Sequence, residues 1–127
     1  MAARILLALA AAAMLAAAIL HASAFPRAEH AVAASNLAPF FGGSLKAFWL
    51  NDSLVTAILA VLGFYFVLRP RAATGGTIML LALIPASIAV LLFVFLGLFF
   101  AAPVMLVIAG LIFAAGLFWP NRMEIAP

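Results

Sequence analysis

The fold of this protein is decided by a run without Lys, Arg, Asp or Glu, from Ala72 to Asn121: AATGGTIMLLALIPASIAVLLFVFLGLFFAAPVMLVIAGLIFAAGLFWPN. A helix that crosses the hydrocarbon core of a bilayer needs roughly 20 residues, so this run is too long for one crossing. Pro103 divides it, because proline is favoured in the first turn of a helix and disfavoured inside one. The run therefore predicts two transmembrane helices, at about 77–99 and 103–119, with a very short connection.

The composition of the whole chain excludes a water-soluble fold. Of its 127 residues, 71% are apolar and 7% are charged, and the mean hydropathy is +1.41, whereas soluble domains carry roughly 25% charged residues. Cysteine is absent, which excludes disulfide scaffolds and cysteine-ligated metals. The basic residues form no run that could follow phosphates, so nucleic-acid binding has no support. A glycine-rich phosphate loop, HExxH and GxSxG are also absent, and we expect no cofactor.

Two further apolar stretches lie upstream, from Ile5 to Ala24 and from about Ser53 to Leu68. With them, the sequence predicts an all-α integral membrane protein, a single membrane domain over residues 1–127 that forms an up-down bundle of four transmembrane helices. Upstream of the long run, the sequence predicts a first helix at about 4–24, an outer loop at 25–44 and a second helix at about 45–68. An inner loop at 69–76 precedes the last two helices, and a short cytoplasmic tail at 120–127 follows them.

Basic residues predict the orientation, because loops rich in Lys and Arg stay in the cytoplasm. Four crossings put both termini and the loop after the second helix on one side. That side carries Arg4, Arg69, Arg71 and Arg122, and the other side carries only Arg27 and Lys46. The sequence therefore predicts that both termini are cytoplasmic. The alanine-rich first span with its short basic start favours a bacterial plasma membrane.

The first span has a competing interpretation as a cleaved signal peptide. It has a basic residue near its start, an apolar centre, and Ala22-Ser23-Ala24, which fits the small-x-small rule of signal peptidase. Cleavage after Ala24 would leave three helices and remove His21, without changing the topology of the rest.

Asp52 is the most informative polar residue, because its depth depends on where the second helix begins. A helix capped by Asn51 or Asp52 would end at Leu68 and barely span the core, whereas a helix that begins near Ser44 would place Asp52 two turns inside. We favour the longer helix. A carboxylate below the interface is costly, so we expect Asp52 to face the bundle and to have a partner.

His21 is the predicted partner, because it lies near the end of the first helix, at a matching depth. Helical spacing places Asp52 and Thr56 on one face of the second helix, together with Trp49. His21, Asp52 and Thr56 therefore form the candidate polar site, either a structural contact or a proton relay. Glu29 and His30 would be needed to complete a metal site, but no recognised ligand spacing supports one.

Packing and bending signals are also present. Ala8, Ala12 and Ala16 lie four residues apart, as do Gly110 and Ala114, and small residues at this spacing allow helices to approach closely in lipid. We expect these two sets to hold the bundle together. Inside the third helix, Pro85 removes the hydrogen bond to the carbonyl of Leu81, which predicts a kink.

The leading functional interpretation is a small accessory or structural membrane protein: a subunit, assembly factor or modulator of a larger complex. Its partners are then the bilayer and either another membrane protein or further copies of itself. The last two predicted helices hold no ionisable side chain and offer little for a hydrated pathway. Two alternatives stay open. One is a small oligomeric transporter that uses Asp52, and the other is an outer-leaflet enzyme handling lipid or quinone with His21 and Asp52.

Overall fold

The computed structural model describes residues 1–120, and this part of the chain is helical with no strand. Residues 121–127, which include Arg122 and most of the predicted cytoplasmic tail, lie outside the described residues. The helices are α1 (Ala2–Ser23), α2 (Phe25–Ala33), α3 (Pro39–Leu68), a 3-10 turn (Pro70–Ala72), α4 (Gly75–Leu81), α5 (Leu83–Leu96) and α6 (Ala101–Leu117).

Three of the helical segments are long and apolar enough to span a membrane. They are Ala2–Ala33, Pro39–Leu68 and Gly75–Leu96, and α6 is a shorter apolar helix. The segment 25–44 differs from the predicted outer loop, because α2 fills its first part and α3 already begins at Pro39. Proline is suited to this position, since its backbone nitrogen needs no hydrogen bond in the first turn. Asp52 consequently lies well inside α3 rather than at its start.

The apolar segment Gly75–Leu96 is interrupted at Ala82, which separates α4 from α5. Pro85 lies three residues later and has no backbone N–H, so it cannot donate to the carbonyl of Leu81. The Ala82 N–H bonds to Met79 instead of residue 78, and the Ser87 hydroxyl donates to the carbonyl of Ile84 at 2.8 Å. The interruption therefore lies where the proline removes one helical hydrogen bond.

Helix α1 lies between α3 and α6, and α6 in turn packs against α4 and α5. Its buried side chains are Ala3, Leu7, Ala10, Ala11, Met14 and Ala18. Gly63 of α3 lies so close to α1 that a Cβ atom there would be 3.0 Å from the Ala11 Cβ. The prediction for Ala12 and Ala16 is wrong, because both are exposed and the neighbouring face of α1 is buried instead.

Two hydrogen bonds and one glycine contact gather three parts of the chain at one end of the molecule. The Arg4 Nε donates to the carbonyl of Val67 at 3.0 Å, and the Trp119 indole N–H donates to the carbonyl of Pro70 at 3.3 Å. Gly75 lies against Gly116. Since α1 and α3 also touch through His21 and Ser53, they run antiparallel. The start of the chain, the segment after α3 and the end of α6 therefore lie together.

Candidate functional site

The candidate site lies at the other end of the α1 and α3 pair. His21 is in the last turn of α1, and Trp49, Asp52 and Ser53 are on the facing side of α3. Residues four apart on a helix share a face, so Trp49 and Ser53 lie one above the other opposite the end of α1. The site therefore results from the antiparallel packing of two helices rather than from a loop.

His21 contacts two side chains of α3 through the same ring nitrogen. Its Nδ1 lies 2.9 Å from the Ser53 Oγ and 3.4 Å from the Asp52 Oδ2. The side chains of His21 and Asp52 are 33% and 40% exposed. An ion pair with this exposure is screened by water and contributes roughly 0 to 1 kcal/mol to stability. The hydrogen bond to the buried Ser53 is therefore the more important of the two contacts.

Trp49 holds the end of α1 by stacking on the face of the His21 imidazole. Its indole N–H donates to the carbonyl of His21 at 2.9 Å, and its ring stacks on the imidazole at 4.3 Å between centroids and 14° between planes. The same carbonyl accepts the backbone N–H of Ala24 at 3.2 Å, so Trp49 adds a second donor at the end of α1. Its stacked ring also restricts the orientation of the His21 ring.

The three predicted site residues are not equivalent in the structure. His21 and Asp52 are adjacent, whereas Thr56 lies one turn further along α3, 3% exposed, and its Oγ1 has no hydrogen-bond partner among residues 1–120. Ser53, which sequence reasoning missed, is the closest polar contact of His21. The spacing of Ser53 could have indicated this contact. Residues 49, 53, 56, 60 and 63 are separated by four and three positions in turn, so they lie on one face of α3.

The arrangement limits the chemistry that the site can perform. In a Ser-His-Asp triad, the histidine uses one nitrogen for the serine and the other for the aspartate. Here both partners of His21 face Nδ1, so the serine is not activated in that way. Glu29 pairs with Lys46 at 3.6 Å. Within residues 1–120, no three His, Asp or Glu side chains form a group that could hold a metal ion.

A second feature is an apolar groove of about 740 Å³ where α4 and α5 pack on α6. Ten side chains and backbone positions line it: Gly76, Met79, Leu80, Ala82, Leu83, Ala86, Leu106, Ala109, Gly110 and Phe113. Gly110 faces this groove, since a Cβ atom there would meet no atom of residues 1–120 within 4 Å. The prediction that Gly110 holds the bundle together is therefore wrong for this chain.

No protein-family model, curated protein or solved structure matches this chain.

Proposed function

We propose that this chain is a small integral membrane protein that crosses the bilayer four times and serves as an accessory subunit or modulator of a larger membrane complex. The three long apolar segments support membrane insertion, and α6 supplies the fourth crossing. With 17 residues, α6 is about 26 Å long, close to the roughly 30 Å of the hydrocarbon core. Phe118 and Trp119 follow it directly and suit the interface.

The proposed orientation has both termini in the cytoplasm of a bacterial cell. Its support is the end of the molecule where Arg4, Arg69 and Arg71 lie together with the start of the chain. The opposite end carries Arg27 and Lys46, and Lys46 is paired with Glu29. Lys and Arg near the ends of spans favour the cytoplasmic side, and among residues 1–120 the end near the start of the chain carries three of them against two at the other. Trp49 then lies near the outer interface and Trp119 near the inner one.

The observation that carries the accessory role is the uncharged outer face formed by α5 and α6. Exposed side chains on it include Val90, Val94, Leu106 and Val107, and the groove beside Gly110 continues the same apolar surface. Small residues in a lipid-facing groove allow another helix to approach its backbone closely. Within residues 1–120 the ionisable side chains belong to α1, α2, α3 and the adjoining turn, which leaves α4 to α6 for lipid and helix contacts.

We expect that extraction of the C-terminally tagged protein from its native membrane in a mild detergent yields a larger membrane protein in stoichiometric amount. Mass spectrometry of the intact chain and identification of the co-purified proteins provide the measurement. The measured mass of the intact chain is expected to include residues 1–24. Helix α1 contacts both α3 and α6, and its loss would expose the apolar faces of both helices.

Two results of this extraction would contradict the proposal. Recovery of the chain alone, as a homo-oligomer, would argue against an accessory role and favour a transporter or an enzyme. A mass that begins at Phe25 would show that the first span is removed, and the candidate site would then lack His21.

The transporter alternative depends on Asp52, the carboxylate within the long helix α3. It lies near the middle of α3 but beside the last turn of α1, so in a crossing over about 45–68 it is two turns from the outer end and not at the midplane. Carboxylates that couple transport to protons generally lie deep in the membrane, so this position disfavours the alternative. We expect vesicles reconstituted with Asp52→Asn to keep the same transmembrane pH gradient as vesicles reconstituted with the wild-type protein. Proton-coupled flux that is present in the wild type and lost in Asp52→Asn would establish the transporter.

The enzyme alternative has one supporting observation. The His21 side chain is one-third exposed, so the edge of its ring is accessible from outside the helix pair. An outer-leaflet lipid or quinone headgroup could approach it there. This alternative requires His21 for ligand binding, and loss of that binding in His21→Ala would favour it over the accessory role.

A further inference from the structure

The end of the molecule opposite the His21 site carries a cluster of exposed arginines. Arg4 belongs to the first turn of α1, Arg69 follows the last residue of α3, and Arg71 lies in the 3-10 turn. These residues are far apart in the sequence, and the antiparallel packing of α1 on α3 brings them to the same end. We call them the arginine end.

The backbone that carries the arginine end is held from two sides. On one side, the Arg4 Nε donates to the carbonyl of Val67, two residues before Arg69. On the other side, Trp119 donates to the carbonyl of Pro70, between Arg69 and Arg71. Pro70 further fixes the backbone because its ring restricts φ. Little backbone ordering is therefore required when a ligand binds these side chains.

The charges at this end are not neutralised within the described chain. The carboxylates of residues 1–120 belong to Glu29 and Asp52, and both lie at the opposite end, paired with Lys46 and His21. A guanidinium group has five N–H donors, so Arg4 keeps several free after its single bond to Val67. Its planar fork matches two oxygens of a phosphate, which makes clustered arginines suited to phosphate recognition.

Apolar side chains flank the arginine end on the outer surface of the same helices. Ile5 is 52% exposed, Tyr65 50% and Leu68 73%. A soluble phosphate compound gains nothing from such neighbours, whereas a phospholipid places its acyl chains beside them and its phosphate beside the arginines. The combination of guanidinium groups and exposed apolar surface at one helix end thus distinguishes a lipid from a free phosphate.

We propose that the arginine end binds the phosphate headgroup of an anionic phospholipid, with Arg69 and Arg71 as its principal contacts and Arg4 as the third. The inference rests on the membrane location proposed above and is independent of the accessory role. Each arginine near an anionic membrane surface increases lipid affinity about fivefold.

The test uses the full chain purified in mild detergent and titrated with phosphatidylglycerol or with phosphatidylcholine of the same acyl chains. Native mass spectrometry counts the bound lipids. We expect preferential binding of phosphatidylglycerol, and we expect the double variant Arg69→Gln with Arg71→Gln to lose roughly 25-fold in affinity. Both side chains are exposed and donate no hydrogen bond to the rest of the described chain, so the variant should keep its fold. Unchanged thermal unfolding in phosphatidylcholine verifies this.

The control is Arg27→Gln with Lys46→Gln, which removes the same charge from the opposite end and is expected to change affinity less than twofold. Equal losses in both double variants would overturn the proposal, because binding would then follow net charge alone. Unchanged affinity in the Arg69 and Arg71 variant would also overturn it. Displacement of the lipid by inorganic phosphate at the same concentration would assign the site to a free phosphate instead. Failure of the chain to enter vesicles of either lipid would count separately, against the membrane location.

Discussion

Replacing Gly116 with alanine is expected to lower the free energy of unfolding by about 1 to 3 kcal/mol, the usual cost of overpacking a close contact. A Cβ atom at Gly116 would lie 2.8 Å from the carbonyl oxygen of Gly75 and 2.9 Å from the backbone nitrogen of Met79, and it would also overlap the Met79 side chain. Two of these neighbours are backbone atoms, which cannot move away as a side chain can. Helices α4 and α6 would therefore have to separate.

Gly110→Ala in the same helix is the matched control. A Cβ atom there meets no atom of the described chain within 4 Å, and alanine is favoured over glycine inside a helix by about 1 kcal/mol. The two variants are therefore expected to change stability in opposite directions. Unfolding in mixed micelles, followed by circular dichroism, measures both. Equal stability of the Gly116 variant and the wild type would mean that α4 and α6 do not cross at this residue.

Replacing His21 with alanine is expected to lower the free energy of unfolding by about 1 to 3 kcal/mol, because the buried Ser53 hydroxyl loses its closest partner and keeps only a 3.4 Å hydrogen bond to the Trp49 carbonyl. The stacked ring over Trp49 is lost as well. The local consequence is a looser end of α1, and a change in the Trp49 fluorescence should report it.

His30→Ala is the control for this second prediction, because His30 is exposed on α2 and outside the site. Its expected change is within about 0.5 kcal/mol. A double-mutant cycle of His21→Ala with Asp52→Asn should give a coupling energy below about 1 kcal/mol, since both side chains are at least one-third exposed. A larger coupling would show that the charge pair, rather than the serine, holds α1 to α3.

Part of the candidate site could be predicted from the sequence. An aspartate in an apolar helix needs a partner, and His21 was the residue at the matching depth of the preceding helix. The roles of Trp49 and Ser53 could not be predicted in the same way. The rotation of each helix about its axis decides which of two adjacent residues, Asp52 or Ser53, faces the centre of the contact. Helix rotation depends on packing along the whole helix and not on the polar residues alone.

The helix boundaries, like the candidate site, could be predicted from the sequence only in part. The uncharged runs predicted the apolar segments near their observed positions, and Pro85 predicted the interruption that begins at Ala82. The start of α3 at Pro39 was missed by several residues. Gly42 and Gly43 have low helix propensity, but Gly42 is buried against Val32 of α2 inside a continuous helix. Contact with another helix can stabilise helical structure at residues whose own propensity for it is low.

The order of residues alone is enough to predict that the chain is helical, apolar and built of segments long enough to span a membrane. These properties follow from the transfer free energy of each residue and from the hydrogen bonds within each helix, so they need no knowledge of neighbours. Which small residues meet depends on how the helices pack: Ala11 lies against Gly63 and Gly75 against Gly116, rather than Ala12 or Gly110 against a neighbour. Between apolar helices, many faces have similar hydrophobicity. The choice among them depends on how closely two backbones fit, which is a property of both helices together.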